Sequence, residues 1–477
     1  MKAAYYQMKT RQNIRTAALA LAGLISLSVP AASNDILGLR EAIRISLVNN
    51  NQFKIAQEKV NESSLMVRES WGKLWPDLST GASMTRFGAD KGVLATSLGK
   101  YDVTFVKCSV AINPGAFYNS LRSAQDGHVI AANDERRIKL DTTITTIRLY
   151  YKILLTAEII KMRNDSIKAL EENLKAVTTG YKIGSYTRLD FLRAKVTAAN
   201  EKTRLINAEN DSLSAIAALN IHMGRDIDSP LNLDRNTITK DTGEESAIMN
   251  WSDKEKKERL AFMTAESLKN RPEIIQLKSK KNALNHAAWA GDSLYLWPTL
   301  FASGSYGSSR VIPKNNTQTS GDAHADLALY DIGKILEPAG WNKNWNVVIG
   351  ATYRWGGLAP FDPAHAKADQ YRSQEKQADL EMDDFVRNLR LNIQQGLLKL
   401  ISASNAILSQ KENIESAEES LRVAIIQFRN GMIDNPKFLD ANVELSNAKT
   451  FYIQALYDLQ TSKAELNRAI GYDFFAY

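Results

Sequence analysis

The chain has 477 residues, 44% of them hydrophobic and 24% charged, with a formal net charge of +7. A basic excess that small, mixed with acids along the whole length, excludes a nucleic-acid surface as the organising feature. A single cysteine, Cys108, excludes an internal disulfide framework.

At the N-terminus, Lys2, Lys9, Arg11 and Arg15 precede an apolar run from Thr16 to Val29. Val29-Pro30-Ala31 and Ala31-Ala32-Ser33 then offer small residues for cleavage. This order predicts a secretory signal peptide over residues 1–33. Its removal lowers the net charge from +7 to +3. No later stretch holds the roughly 18 to 20 consecutive apolar residues of a spanning helix. A place in a membrane therefore requires a β-barrel, the other structure that satisfies its backbone groups in lipid.

Along the mature chain, a helical stretch over about 39–72 ends at Trp75-Pro76, where proline stops a helix. Strand character follows at 78–87 and again at Val106, Cys108, Val110 and Ile112, which alternate with Lys107, Ser109, Ala111 and Asn113. A very long helix (about 116–180), a glycine turn and a last helix (188–223) complete the first half. A polar segment, 226–256, links to a second half in the same order. Helix 258–294 ends at Trp297-Pro298, strands fall at 299–308 and 344–355, and helices span 364–429 and 436–470. The segment 308–343, with Gly, Asn, Pro and Trp, is predicted as an external loop.

The two halves are copies. Tyr181–Gly224 aligns with Phe428–Gly471 without a gap, and 15 of 44 positions are identical. Upstream, Leu74-Trp75-Pro76-Asp77-Leu78 matches Leu296-Trp297-Pro298-Thr299-Leu300. Units of 34–225 and 257–477 are expected, joined by 226–256.

In 344–355, Trp345, Val347, Ile349, Ala351, Tyr353 and Trp355 share one face. The other carries Asn344, Asn346, Gly350, Thr352 and Arg354, with Val348 the exception. Ten alternating residues bounded by aromatics suit a transmembrane barrel strand, with Trp345, Tyr353 and Trp355 at the membrane interfaces. The same pattern suits a half-buried strand of a soluble sheet. In the last helix, Phe438, Leu445, Tyr452, Leu459 and Leu466 recur every seven residues. Ala441, Ala448, Ala455, Ser462 and Ala469 follow each by three, giving a coiled-coil seam of one large and one small position. Helices of some 65 residues would reach about 100 Å, so they must lie side by side in a bundle or a tube wall. Four membrane strands cannot close a barrel, for which about eight is the small end. Two copies of the chain would supply eight and three would supply twelve.

At this point the chain resembles the TolC-type outer-membrane factors, the outer membrane efflux proteins. The twofold repeat carries the resemblance, with Trp-Pro before each strand pair. So do the turns Tyr181-Lys182-Ile183-Gly184 and Phe428-Arg429-Asn430-Gly431, each followed by a Phe-Leu helix start (Asp190-Phe191-Leu192 and Lys437-Phe438-Leu439-Asp440). After the second strand of each pair stand Asn113-Pro114-Gly115 and Pro360-Phe361-Asp362-Pro363, the latter departing from the family's Asp/Asn-Gly by Pro363.

The resemblance implies a mainly α fold with a membrane β-barrel. Long coiled helices form a periplasmic α-barrel, and four strands per subunit contribute to a twelve-stranded barrel in a homotrimer. It implies an exit duct of a tripartite efflux or type I secretion system in the outer membrane of a Gram-negative-type bacterium. The partners implied are a periplasmic adaptor, an inner-membrane pump and outer-membrane lipid. It places Tyr181, Gly184, Phe428 and Gly431 at the periplasmic tip, and Asp190, Lys437 and Asp440 at its gate.

Asp190 has a second expected role, since Thr187 and Asp190 stand as a capping box. Lys437 opposes the helix dipole where an acid is common, and it is expected to pair across the constriction with Asp190 or Asp440. Asn435-Pro436 and Asp362-Pro363 read as N-cap followed by proline at the first helical position. The five histidines (His128, His222, His286, His324, His365) lack metal-ligand spacing. No phosphate loop or nucleophile arrangement is present, so no enzyme activity, cofactor or metal is expected. The competing reading is a soluble periplasmic coiled-coil scaffold or adaptor.

Overall fold

The structure, a computed structural model, describes residues 36–87, 98–234, 251–313, 340–355 and 362–472. The predicted signal peptide, residues 235–250 of the linker and 314–339 of the predicted loop lie outside these. In chain order the elements are α1 (Leu39–Asn49), α2 (Asn51–Gly72), β1 (Asp77–Phe87), β2 (Leu98–Ile112), α3 (Pro114–Lys182) and α4 (Arg188–His222). They continue as α5 (Asp253–Asn270), α6 (Pro272–Leu296), β3 (Thr299–Pro313), β4 (Asn342–Thr352), α7 (Pro363–Arg429) and α8 (Asn435–Ile470).

Each first helix breaks where a single one was expected. At Asn50 the side chain accepts from the N–H groups of Gln52 (2.9 Å) and Phe53 (3.2 Å), capping α2. At Arg271 the following Pro272 removes the donor that would continue the helix, and sits at the first position of α6. The two breaks serve one purpose. Gly224, past the end of α4, is left-handed (φ +66°) and approaches Asn49 so closely that a Cβ would stand 3.0 Å from its carbonyl oxygen. Gly471, past α8, repeats this (φ +87°) against Asn270 at 3.1 Å.

The long helices α3 and α7 have 69 and 67 residues, each about 100 Å at 1.5 Å per residue. The main core grips them near their middles. Ile147, Tyr150 and Leu154 of α3 and Leu389, Ile393 and Leu400 of α7 pack with Ile43, Leu219, Met223, Ile274, Leu459 and Ile470. From this waist the helices run one way to the sheet and the other way to the hairpins α3–α4 and α7–α8. In α8 the predicted seam is buried at Phe438, Ala441, Ala448, Ala455, Leu459, Ser462, Leu466 and Ala469.

The four strands form one antiparallel sheet in the order β1-β2-β3-β4. Three boundaries in β3 and β4 differ from expectation. β3 runs on to Pro313 and β4 begins at Asn342, so both ends of the predicted loop 308–343 are strand. β4 stops at Thr352, leaving Tyr353 and Trp355 beyond the ladder.

Candidate functional site: the sheet face and the hairpin tips

Residues directly opposite in neighbouring strands project from the same face, so register sorts the sheet. Leu78–Cys108–Gly304–Val347 is one such row, and Val106–Tyr306–Trp345, Val110–Ala302–Ile349 and Ile112–Leu300–Ala351 are others. Every residue in these rows is apolar or small. The opposite face carries Ser79–Lys107–Ser305–Asn346 and Asp77–Ser109–Ser303–Val348, and Ser305 Oγ donates to Asn346 Oδ1 at 2.6 Å. Val348 is thus an apolar residue on the polar face. Phe301 also lies there, its ring so close to Gly350 that a Cβ would meet it at 2.7 Å.

The apolar face has no covering layer among the described residues. Ile349 is 81% exposed, Trp345 76%, Leu78 70% and Val347 64%. Leaving these four side chains in water forfeits roughly 6–12 kcal/mol, at about 1.5–3 kcal/mol each. That equals the net stability of an ordinary domain, so this face needs an apolar environment. Aromatics stand at both ends. Trp75 and Trp297 precede β1 and β3, and Tyr353 and Trp355 follow β4, their rings edge to face at 5.0 Å. Trp345, Tyr306 and Trp341 lie towards the other end. The eleven residues from Trp345 to Trp355, eight of them within β4, would climb about 24 Å at a strand's rise and a 45° tilt, the height of a barrel's apolar band.

The tips repeat each other closely. Gly184 (φ +81°) and Gly431 (φ +69°) are both left-handed. Ser185 N donates to Gly180 O at 2.7 Å, and Met432 N to Gln427 O at 2.8 Å. Tyr181 stacks on Phe191 (5.6 Å) and Phe428 on Phe438 (5.4 Å). The predicted tip residues are thus one turn built twice, each glycine needed for its positive φ. Tyr186 joins the turns by stacking on Phe428 at 5.8 Å. It lies so tightly over Gly180 that a Cβ would stand 2.2 Å from its ring.

The predicted capping box forms. Asp190 N donates to Thr187 Oγ1 at 3.1 Å, and Thr187 N to Asp190 Oδ2 at 3.2 Å. At the second tip the cap differs from expectation. Asp434, without a side-chain bond, is the N-cap, and Asn435 is the first helical residue, ahead of Pro436. The reason is tertiary: Asn435 is buried and donates through Nδ2 to Asp190 O at 3.3 Å, tying the start of α8 to the start of α4. Asp362 does cap α7, accepting from Ala364 N at 2.8 Å. Lys437 and Asp440 are exposed and make no ion pair among the described residues of this chain.

The roles of two residues escaped the sequence reading. The small seam positions of α8 correspond in α4 to Ala194, Glu201, Ala208, Ala215 and His222, so Glu201 and His222 break a run of small residues. Both are held. Glu201, with 5% of its side chain exposed, pairs with Arg163 of α3 at 2.9 Å, and Arg163 donates to Ser446 Oγ of α8 at 2.9 Å. His222 Nε2 lies 3.1 Å from Thr142 O, and its Nδ1 3.4 Å from Asn50 Nδ2. Burial lowers its pKa below the ordinary imidazole value. Comparing the two copies position by position is the signal that would have found them.

Among the described residues no cluster of His, Cys, Asp or Glu could hold a metal ion, and no helix is long and apolar enough to cross a membrane.

Residues 42–225 match the family described as Outer membrane efflux protein. The toluene efflux pump outer membrane protein TtgC of Pseudomonas putida is 20% identical over 447 residues, covering 91% of this chain and 82% of its own length. The antibiotic efflux pump outer membrane protein ArpC of Pseudomonas putida is 19% identical with the same coverage. Among solved structures, the CmeC outer membrane channel of Campylobacter jejuni shares 15% identity with a TM-score of 0.68, over 94% of this chain and 90% of that one. The open-state MtrE outer membrane channel of Neisseria gonorrhoeae shares 17% with a TM-score of 0.69, over 91% and 89%. At these identities the structural likeness shows the fold: long paired helices joined to a four-stranded antiparallel sheet.

Proposed function

We propose that this chain, a member of the outer membrane efflux protein family, works as a homotrimeric exit duct of a tripartite efflux pump. One observation carries the reading. The sheet has a continuous apolar face, a polar reverse and two unpaired edges, β1 and β4. Unpaired strand edges are not tolerated in lipid. A neighbour's β4 against β1 removes both, and repeating this head-to-tail contact closes a ring. Three copies give twelve strands, with the apolar face towards outer-membrane lipid and the polar face lining the pore.

The helices below form the periplasmic part of the duct, built from units 34–225 and 257–477 joined by 226–256. An energised inner-membrane pump and a periplasmic adaptor do the work, and the duct opens at its tips without chemistry of its own. Asp190, Lys437 and Asp440 are the gate residues in this reading. Lys437 meets Asp190 or Asp440 of a neighbouring copy when the tips are closed. A soluble scaffold would leave the apolar face in water, which its energetic cost argues against.

Electron microscopy of the mature protein in detergent tests the proposal. Threefold end views and side views near 130 Å long are expected, from helices of about 100 Å and a barrel of about 30 Å. Compact particles that remain soluble without detergent would overturn it.

A further inference from the structure

The apolar face of the sheet is not uniform along its length. Beyond the row of Tyr306 and Trp345, towards the strand ends away from the helices, it continues through Ala82–Val103–Ser308–Lys343 and then Met84–Tyr101–Arg310. Lys343 and Arg310 therefore stand on the apolar side, on neighbouring strands and offset by two residues. That diagonal separates their Cβ atoms by about 7–8 Å, and Tyr101 lies directly opposite Arg310. The helix end of the same face has no counterpart. From Leu78 and Val347 down to Ile112 and Ala351, its rows hold no charged residue.

The acid nearest to the two cations in the ladder is turned away from them. Asp102 belongs to the polar face and pairs there with Lys100, two residues along β2, at 3.1 Å. Neither Arg310 nor Lys343 has an ion-pair partner among the described residues, and Arg310 Nε is buried without an acceptor. A buried guanidinium N–H left unpaired is costly, so its acceptor should come from outside the chain. A neighbouring copy does not supply one. The strand it would lay against β4 is β1, whose one acid, Asp77, stands at the helix end.

On the helix side of the two cations lies an aromatic shelf. Phe105, the extra residue at the β2 bulge, meets Tyr306 at 5.8 Å between ring centroids, and Trp345 is directly opposite Tyr306. Cations set just past the aromatic edge of a lipid-facing band suit a head group that carries phosphate. Arg and Lys hold phosphate oxygens through charge-assisted hydrogen bonds, while the rings pack against sugar and the first methylenes.

We infer that Arg310, Lys343 and the Tyr101 hydroxyl bind a phosphate of the phosphorylated glycolipid in the outer leaflet, one site per subunit, with Phe105, Tyr306 and Trp345 under its sugar. The inference rests on the duct reading above, which sets this face in lipid and the strand ends away from the helices in the outer leaflet. An ordinary phospholipid is the poorer occupant, because it fills the inner leaflet as well and the helix end of the face has no cation to meet it.

The test uses the purified trimer in detergent, with lipid binding read by native mass spectrometry. The probes are an acylated diglucosamine bisphosphate, its dephosphorylated twin, phosphatidylglycerol and inorganic phosphate. The bisphosphate should bind at least about tenfold tighter than its twin or phosphatidylglycerol, and excess inorganic phosphate should not displace it. Arg310→Gln with Lys343→Gln should bring the bisphosphate within about threefold of its twin, whereas Lys107→Gln on the polar face should leave the preference in place. Lys343→Gln alone, at an exposed position, serves if the double variant fails to assemble, and should weaken bisphosphate binding about threefold. Equal binding of the bisphosphate and its twin, or a preference that both Gln variants leave untouched, would overturn the inference. So would phosphatidylglycerol bound as tightly, or displacement by inorganic phosphate, since the patch would then hold any anion. A preparation without threefold particles sinks the duct reading itself; a threefold particle without the lipid preference sinks only this inference.

Discussion

Asp190 and Lys437 occupy the same place, the third residue of the helix after the tip turn, in two copies of one hairpin. In the first copy the acid closes a capping box with Thr187. In the second the position carries the opposite charge, the N-cap Asp434 makes no side-chain bond, and Lys437 points into solvent. The helix dipole disfavours a cation there by about 0.3–1 kcal/mol. Lys437 is therefore placed against local helix stability, which is why we assign it to the gate.

Replacing Lys437 with Ala should relieve the dipole conflict while loosening the closed tips. The expected outcome is greater sensitivity of whole cells to large antibiotics that the outer membrane normally excludes. Unchanged exclusion would remove Lys437 from the gate. Asp190→Ala should instead cost about 1 kcal/mol at the start of α4, read as faster exchange of the Thr187 amide, which loses its acceptor, and of the Phe191 amide in the first turn.

The sheet makes a sharp distinction between neighbours in β4. Ile349 lies midway between the aromatics at 345 and 353 on the apolar face, and Val348 on the polar one. Ile349→Arg at mid-membrane should cost about 2–4 kcal/mol and deplete the protein from outer-membrane fractions. Val348→Arg should assemble normally and alter single-channel conductance. Equal depletion by both would refute the assignment of faces.

The Arg163–Glu201 pair is buried between α3, α4 and α8. Breaking one partner leaves an uncompensated charge, so Glu201→Ala should destabilise by about 3–5 kcal/mol. The paired change Arg163→Met with Glu201→Ala removes both charges and should recover much of that loss. Thermal unfolding followed by circular dichroism reads both.

His222 supplies a pH dependence. Its neutral ring with the proton on Nε2 donates to Thr142 O, leaving Nδ1 to accept from Asn50. Burial depresses its pKa in the folded state below 6.5. Its contribution is fully present above pH 6.5, where folded and unfolded chains are both neutral. It is lost progressively as pH falls from there through the folded value, because the unfolded state takes up the proton first. Melting temperature should drop from pH 7.5 to pH 5, and His222→Gln should flatten that part of the drop.

Much of this protein is decided within short windows of sequence. Period two in 345–355 separates an apolar from a polar side because successive side chains in a strand point oppositely. The heptad of α8 selects its buried seam because side chains seven apart share one face of a helix, and Thr187-x-x-Asp190 caps its own helix because both partners lie within one turn. The turn glycines at 184 and 431 belong here too, since their conformation excludes a side chain whatever surrounds them. Pro272 was a local sign as well, and it ends a helix that period alone would have run straight through.

Other features depend on residues far apart in the chain. Asn435 is not the N-cap that Asn-Pro suggests, because folding brings Asp190 O beside it and its amide goes there instead. Glu201 stands where the second copy has Ala448, and Arg163 on a neighbouring helix, together with Arg204 one turn along its own, makes a carboxylate tolerable at that depth. The break at Asn50 exists for Gly224, more than 170 residues away. Hydrogen bonds and ion pairs act over a few ångströms, so which distant groups meet is decided by how the helices pack, not by spacing along the chain.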